Sequence, residues 1–299
     1  MKRRYVTADV FTDRMFGGNP LAVVLDAEGL SASEMQSIAL EFNYSETTFV
    51  LPPDVPAHTA KVRIFTPRTE VPFAGHPNVG TAFVLARDGR YAAAAADGIF
   101  LFEETAGLVP LTLLRERGKA VGAELRAPEA LSRRTAVAPE IAAACLSLNA
   151  GDIAIHAHAP QVISVGLPFL AVEIASREAL RRSRPDIAAH ARLLPLDGAD
   201  AIFAYWRAGA ESSTILHARM YSPLDGIVED PATGSACAAA IALLATLEGK
   251  DRTEISWCIH QGVDMGRPSL LRGRTIRGAA IETHIGGSCV AVLEGTLDF

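Results

Sequence analysis

The stretch Gly75-His76-Pro77-Asn78-Val79-Gly80-Thr81-Ala82-Phe83-Val84-Leu85-Ala86 opens with helix-start chemistry and continues small or apolar on nearly every side. A helix without a polar face belongs inside a protein, so other parts of the chain must wrap it. The same phrase returns 154 residues later. There, Asp230-Pro231-Ala232-Thr233-Gly234-Ser235-Ala236 repeats a polar residue, Pro, Gly, a hydroxyl and Ala in register with His76 to Ala82. Upstream, Arg63-Ile64-Phe65-Thr66-Pro67 is echoed 156 residues on by Arg219-Met220-Tyr221-Ser222-Pro223. Two blocks in one order at nearly one offset indicate an internal duplication. The expectation is an α+β fold of two similar, pseudo-symmetric domains, spanning 1–130 and 131–299. Each is a barrel-like, mostly antiparallel sheet around a central buried helix. Whether the last strand crosses back to the first domain stays open at this level.

In both phrases proline is expected at the first helical position, where its missing N–H costs nothing. The free backbone N–H groups at each helix mouth then offer a place for a carboxylate or another anion.

A chain of 299 residues, 49% hydrophobic and 21% charged, can fill a core in each half. A net charge of −6 and no clustered basic stripe argue against a nucleic-acid partner. The densest basic run, Arg181-Arg182-Ser183-Arg184, reads as a solvated helix end. Met1-Lys2-Arg3-Arg4 is basic, but no secretory apolar stretch follows it, and no run of 18 apolar residues exists. A soluble, cytoplasmic protein without membrane contact is the expectation. The four cysteines, Cys145, Cys237, Cys258 and Cys289, are scattered and expected to be reduced. Among its alanine neighbours Cys237 reads as a small core residue.

Ser31-Ala32-Ser33-Glu34 is a capping box opening a helix to about Phe42. Gly17-Gly18-Asn19-Pro20 reads as a turn and Thr47 to Leu51 as a strand with Glu46 at its entrance. Tyr91 to Ala96 has no strong period, and Ile276 to Ile281 reads as a strand. No phosphate-binding or dinucleotide-binding glycine motif appears. His156 and His158 form an H-x-H pair on a candidate strand; with no third ligand in sight they read as a surface or loop pair rather than a metal site. Ser235 lacks the context of a nucleophilic serine and reads as a donor or helix former.

Glu46, His76 and Asp230 remain as candidates for chemistry. A Glu partly withdrawn from water can trade protons near neutral pH; an exposed edge-strand Glu is the plain alternative. His76 and Asp230 would meet across a cleft if the two halves face each other, or they would merely cap their helices.

The chain resembles the PhzF family of phenazine-biosynthesis proteins, within the diaminopimelate-epimerase-like superfamily. In the first half the resemblance rests on Gly18-Asn19-Pro20-Leu21-Ala22-Val23, Asn43-Tyr44-Ser45-Glu46-Thr47-Thr48-Phe49-Val50, Arg63 to Pro67 and Pro72-Phe73-Ala74-Gly75-His76-Pro77. In the second it rests on Glu229 to Ala236 and on Gln261-Gly262-Val263-Asp264-Met265-Gly266-Arg267-Pro268-Ser269. It implies an active site between two similar domains. It also implies an isomerisation that needs no cofactor or metal, in which Glu46 moves a proton between carbons of a small carboxylated substrate. His76 and Asp230 match family residues at the two helix starts. Ser45, Gly75, Gly234 and Ser235 fall where the family contacts substrate, and a homodimer is implied.

The superfamily's racemases and epimerases use a cysteine at each helix start, whereas this chain has Gly75-His76 and Asp230. Cys237, seven residues past Asp230 and some two turns into the expected helix, cannot substitute. The alternatives are an amino-acid epimerase or racemase with non-cysteine bases, and a non-catalytic protein that binds small carboxylates.

Overall fold

A computed structural model of the chain describes residues 2–209, 212–249 and 251–298. Met1, the first residue of the basic N-terminal run, lies outside them. The chain divides into two compact units, Met1–Arg126 with Gly286–Phe299, and Ala127–Ile285.

The first unit opens with β1 (Lys2–Val10), β2 (Asn19–Val24), α1 (Ala32–Phe42) and β3 (Glu46–Leu51). β4 (Ala60–Phe65), β5 (Glu70–Val71), α2 (Gly75–Leu85) and α3 (Ala92–Asp97) follow. The meander β6 (Ile99–Glu104), β7 (Gly107–Glu116) and β8 (Lys119–Arg126) completes this run. The second unit begins with β9 (Ser132–Ala136), α4 (Pro139–Cys145), β10 (Gln161–Ser164) and β11 (Pro168–Glu173). Next come α5 (Arg177–Arg182), α6 (Ile187–Leu193), β12 (Ile202–Ala208) and β13 (Ser212–Ser222). β14 (Ile227–Asp230), α7 (Gly234–Leu247), β15 (Glu254–Gln261) and β16 (Ser269–Arg277) lead to β17 (Ile281–Asp298). From Gly286 onward β17 is part of the first unit.

In the first unit β1 pairs antiparallel with β2 and β17, β2 runs parallel to β3, and β3 pairs antiparallel with β4. β4 runs parallel to β6, the β6–β7–β8 meander follows, and β8 pairs with β17. Eight strands thereby close into a barrel. Helix α2 packs against β1, β2, β3, β7 and β8, and every residue from His76 to Leu85 is buried. That burial is what a helix with small or apolar residues on nearly every side requires. The helix approaches the sheet at Gly80, where a Cβ would lie 2.6 Å from the side chains of both Leu21 and Val10.

The second unit repeats this order of pairings. β10 and β11 are antiparallel, β11 and β12 parallel, and β12 and β13 antiparallel. β13 then pairs with β14 antiparallel and with β15 in parallel, and β15 with β16 antiparallel. Its buried helix α7 packs against β10, β11, β15 and β16. The repeated sequence blocks carry a repeated ion pair. Arg63 grips Glu70 through Nε and Nη2, both at 2.7 Å, and Arg219 grips Glu229 at 2.8 and 2.7 Å. In each unit this bidentate pair ties the strand before the central helix to the short strand that leads into it.

Local expectations fare unevenly. Ser31 caps α1 in a complete capping box with Glu34. Asn19 and Pro20 belong to β2 rather than to the turn before it. The tract Tyr91 to Ala96 contributes to a short helix, α3, closed by Gly98 in the left-handed region. Residues 276–281 are not one continuous strand: Ile276 and Arg277 end β16, Ile281 opens β17, and residues 278–280 form the bend between them, where the Gly278 N–H bonds to the Ala280 carbonyl. His156 and His158 lie in the loop before β10, so no strand aligns them. His158 is buried rather than on the surface, its Nε2 2.5 Å from the Tyr205 hydroxyl. Arg181 and Arg182 sit in the last turn of α5 and pair with Glu178 and Asp152. No helix among the described residues is long and apolar enough to cross a membrane.

Candidate active site

Neither central helix begins at its proline. α2 starts at Gly75 behind Ala74, and α7 at Gly234 behind Thr233, which puts Pro77 at the third helical position and Pro231 before the helix altogether. His76 and Asp230 are therefore not caps: His76 is the second residue of α2, and Asp230 is the last residue of β14. Neither helix carries a side-chain cap, whereas α1, α5 and α6 all do. Uncapped N-terminal N–H groups are what an anion site needs.

In the first unit the start of β2 organises the polar groups. Leu21 of β2 is in parallel register with Glu46 of β3. Next to this pair, the Ser45 hydroxyl donates to Oδ1 of the fully buried Asn19 at 3.0 Å, so Asn19 ties the two strand starts together. Glu46 projects from there with 18% of its side chain exposed, and its Oε2 lies 3.6 Å from Nδ1 of His76. Burial holds the His76 imidazole far below its ordinary range, at about 3, and the hydrogen bond to the Pro20 carbonyl offsets this only in part. The ring is neutral at physiological pH, so its contact with Glu46 is not a salt bridge. A threonine pair, Thr48 and Thr81, shares a 2.8 Å hydroxyl bond that fixes α2 against β3 further in.

In the second unit Asp230 is buried, and its Oδ2 accepts from the Thr233 hydroxyl. The turn between them is held by Gln261 of β15, which is fully buried. Its Oε1 accepts the Thr233 N–H at 3.1 Å, while Nε2 donates to the Asp230 carbonyl at 2.9 Å and to the Thr233 hydroxyl at 3.0 Å. The Ser269 hydroxyl lies 2.8 Å from the Pro231 carbonyl. Gly262, at φ +71°, passes so close that a Cβ would meet the carbonyl oxygens of Arg267 and Pro231 at 2.4 and 2.6 Å. The segment Gln261 to Ser269 is thus a brace for the lead-in to α7.

Cys237 lies about one turn into α7 rather than two, because residues 231–233 are an extended lead-in. Its buried thiol donates to Gln261 Oε1 at 3.4 Å, and burial raises its pKa far out of the reactive range. Arg219 spends its remaining donors on the carbonyls of Leu180, Arg181 and Ser183, so it is part of the framework.

Of the residues singled out from sequence, the structure brings Ser45, Glu46, Gly75 and His76 to one helix start. Asp230, Gly234 and Ser235 gather at the other. Gln261 and Thr233 had no assigned role. A glutamine followed by glycine at the end of an otherwise β-forming run was the available signal, since an amide there has to satisfy some backbone.

A barrel wrapped around a buried central helix is the epimerase-like fold. The model of the PhzC–PhzF family, described as phenazine biosynthesis-like protein, matches residues 8–295. An uncharacterized isomerase of Mesorhizobium japonicum is 40% identical, with 99% of this chain and 98% of that protein covered. A trans-2,3-dihydro-3-hydroxyanthranilate isomerase of Pseudomonas chlororaphis is 37% identical, with 98% of each covered. The crystal structure of a PhzF-family phenazine biosynthesis protein of Bacillus anthracis shares the fold, with a TM-score of 0.86 at 24% identity over the whole of both chains. The chain belongs to the phenazine biosynthesis-like (PhzC–PhzF) family and is an isomerase.

Proposed function

We propose that this isomerase moves a proton between two carbons of a small carboxylated substrate, with Glu46 as the general acid/base. The observation that carries the reading is the placement of Glu46: a carboxylate at a strand entrance, partly withdrawn from water, beside a neutral imidazole at an uncapped helix start. The ionised Glu46 takes a proton from a C–H whose electron pair can delocalise into an adjacent double bond. The pair shifts along that system, and the protonated Glu46 returns the proton to its far carbon, so the reaction is redox-neutral. The N–H groups of the first turns, at Gly75 and at Gly234 and Ser235, suit the substrate carboxylate. Ser45 stands beside the base as a contact for a polar substituent. His76, neutral, orients the substrate or Glu46 through a hydrogen bond. Asp230 acts with Thr233 as the polar partner at the second start. The ring-bearing amino acid named for the Pseudomonas chlororaphis relative sets the first substrate class to try: cyclic dienes bearing a carboxylate.

Solvent deuterium uptake tests this. Cyclic and linear unsaturated carboxylates are incubated with the enzyme in D₂O, wild type against Glu46→Gln. Uptake at a new carbon, lost by about 10² to 10⁴-fold in the variant, is expected of a general acid/base. Equal uptake in both proteins would remove Glu46 from the mechanism. Uptake at one stereocentre with inversion and no double-bond shift would replace isomerisation by epimerisation.

A further inference from the structure

The second unit holds a cavity of about 730 Å³ at the C-terminal ends of the parallel strands β11 and β12. None of the residues at the helix starts lines it. Its volume lies within the range of small-molecule sites, roughly 300 to 1,000 Å³. The walls are apolar, from Ile153, Ile155, Ile174 and Trp206; the buried ion-pairing groups at one side are Glu173 and Arg207, and the exposed imidazole of His156 also lines the cavity.

These two side chains form a bidentate pair, with Arg207 Nε 2.8 Å from Oε1 and Nη2 3.2 Å from Oε2 of Glu173. Glu173 is 5% exposed and Arg207 19%. Behind the carboxylate, Nε2 of His158 lies 3.7 Å from Oε2 and is engaged by Tyr205. Burial, partly opposed by Glu173 and other neighbours, lowers the His158 pKa and leaves this ring neutral. A guanidinium has five N–H donors, and Glu173 takes two of them. Nη1 has no acceptor among the described residues and is not sealed from solvent. The donors that remain therefore belong to a cation whose charge Glu173 already balances, with the Glu248 carboxylate adding further negative field. An anion would bring net negative charge into an apolar wall, and a cation would face Arg207 itself. A neutral acceptor meets neither penalty.

We infer that this cavity is a second ligand site, for an uncharged molecule with an apolar body and a carbonyl acceptor, such as an amide or ketone, that takes the Nη1–H donors of Arg207.

Two probes read this out on the full chain: 4-fluorobenzamide, and 4-fluorobenzoate as its charged counterpart. The protein has two tryptophans, and Trp257 is buried with its Nε1 on Thr275, away from the cavity lining. With ¹⁵N-labelled tryptophan the indole resonance of Trp206 should move saturably with the amide while that of Trp257 stays. The fluorine line of the amide should broaden in parallel. Ala175→Trp, at an exposed residue of the cavity wall, should weaken the amide by at least about tenfold with an unchanged thermal melt. Should that variant fail to fold, the two indole resonances of the wild type still decide. No shift of Trp206 with the amide overturns the site. Binding unaffected by a folded Ala175→Trp also overturns it. A Trp206 shift with the benzoate at equal or lower concentration overturns the uncharged class.

Discussion

His76 makes the protein acid-sensitive by a calculable amount. Its imidazole titrates near 3 in the folded protein, driven down by burial, against about 6.5 in an unfolded chain. Above pH 6.5 both states are neutral and the residue contributes nothing to the pH dependence. As pH falls below 6.5 the unfolded chain gains a proton that the folded chain refuses until about pH 3. Native stability then drops by about 1.4 kcal/mol per pH unit from this one side chain. Between pH 6.5 and 4.5 that amounts to about 2 to 3 kcal/mol. His76→Asn keeps a polar side chain and removes the titration. Urea unfolding of both proteins at pH 7.0, 6.0, 5.0 and 4.5 isolates the effect, because every other carboxylate and histidine is common to both. Whatever the variant loses at pH 7.0 should shrink steadily on acidification, by the amount just given. A stability difference constant across the series would mean that His76 protonates normally in the native state. The contact with Glu46 would then be an ion pair, and the neutral orienting role would fall with it.

Burial likewise pushes the Glu104 carboxyl up to about 8, against the lowering effect of the neighbouring Asn78 side chain. Its folded form stays protonated while the unfolded chain ionises above about 4.5, so wild-type stability erodes as pH rises from there towards 8. Glu104→Gln should therefore gain on wild type by about 3 to 4 kcal/mol between pH 5 and pH 8, read by urea melts; no change of the difference with pH refutes it. Gly262→Ala should cost about 1 to 3 kcal/mol, because it forces a left-handed backbone on alanine and drives Cβ into two carbonyl oxygens. The same variant should slow deuterium uptake by loosening the turn at Asp230, and a variant as stable and active as wild type would refute the brace.

What the sequence made legible is what local chemistry decides. Small or apolar residues on nearly every side of α2 say that it is buried, and the Ser31–Glu34 box says where α1 begins. A lone carboxylate ahead of a β-branched run marks Glu46. Helix starts are a different matter where capping comes from afar. The turn before α7 is shaped by Gln261, 28 residues beyond Thr233, and no window around Asp230-Pro231 contains that information. Rules for local caps accordingly placed proline at the first helical position and treated Asp230 and His76 as cap candidates. The same limit hid His158, whose burial depends on Tyr205, 47 residues away.

Duplication and divergence are separable in this chain. The framework kept its symmetry: the Arg63–Glu70 and Arg219–Glu229 pairs occupy matching positions and make the same bidentate grip. The groups at the helix starts did not. The first start sets a carboxylate 3.6 Å from a neutral imidazole, while the second has an aspartate engaged by the threonine that precedes its helix. Inverting one stereocentre calls for a base on each face of the carbon, and therefore for two bases of like chemistry. Lifting a proton from one carbon and setting one down on another along the same face needs a single base that reaches both carbons and exchanges its proton with solvent, at least in part, between the two events. Unequal helix starts on an equal framework favour the second kind of chemistry, and that asymmetry is why Glu46 alone is given the role of acid and base.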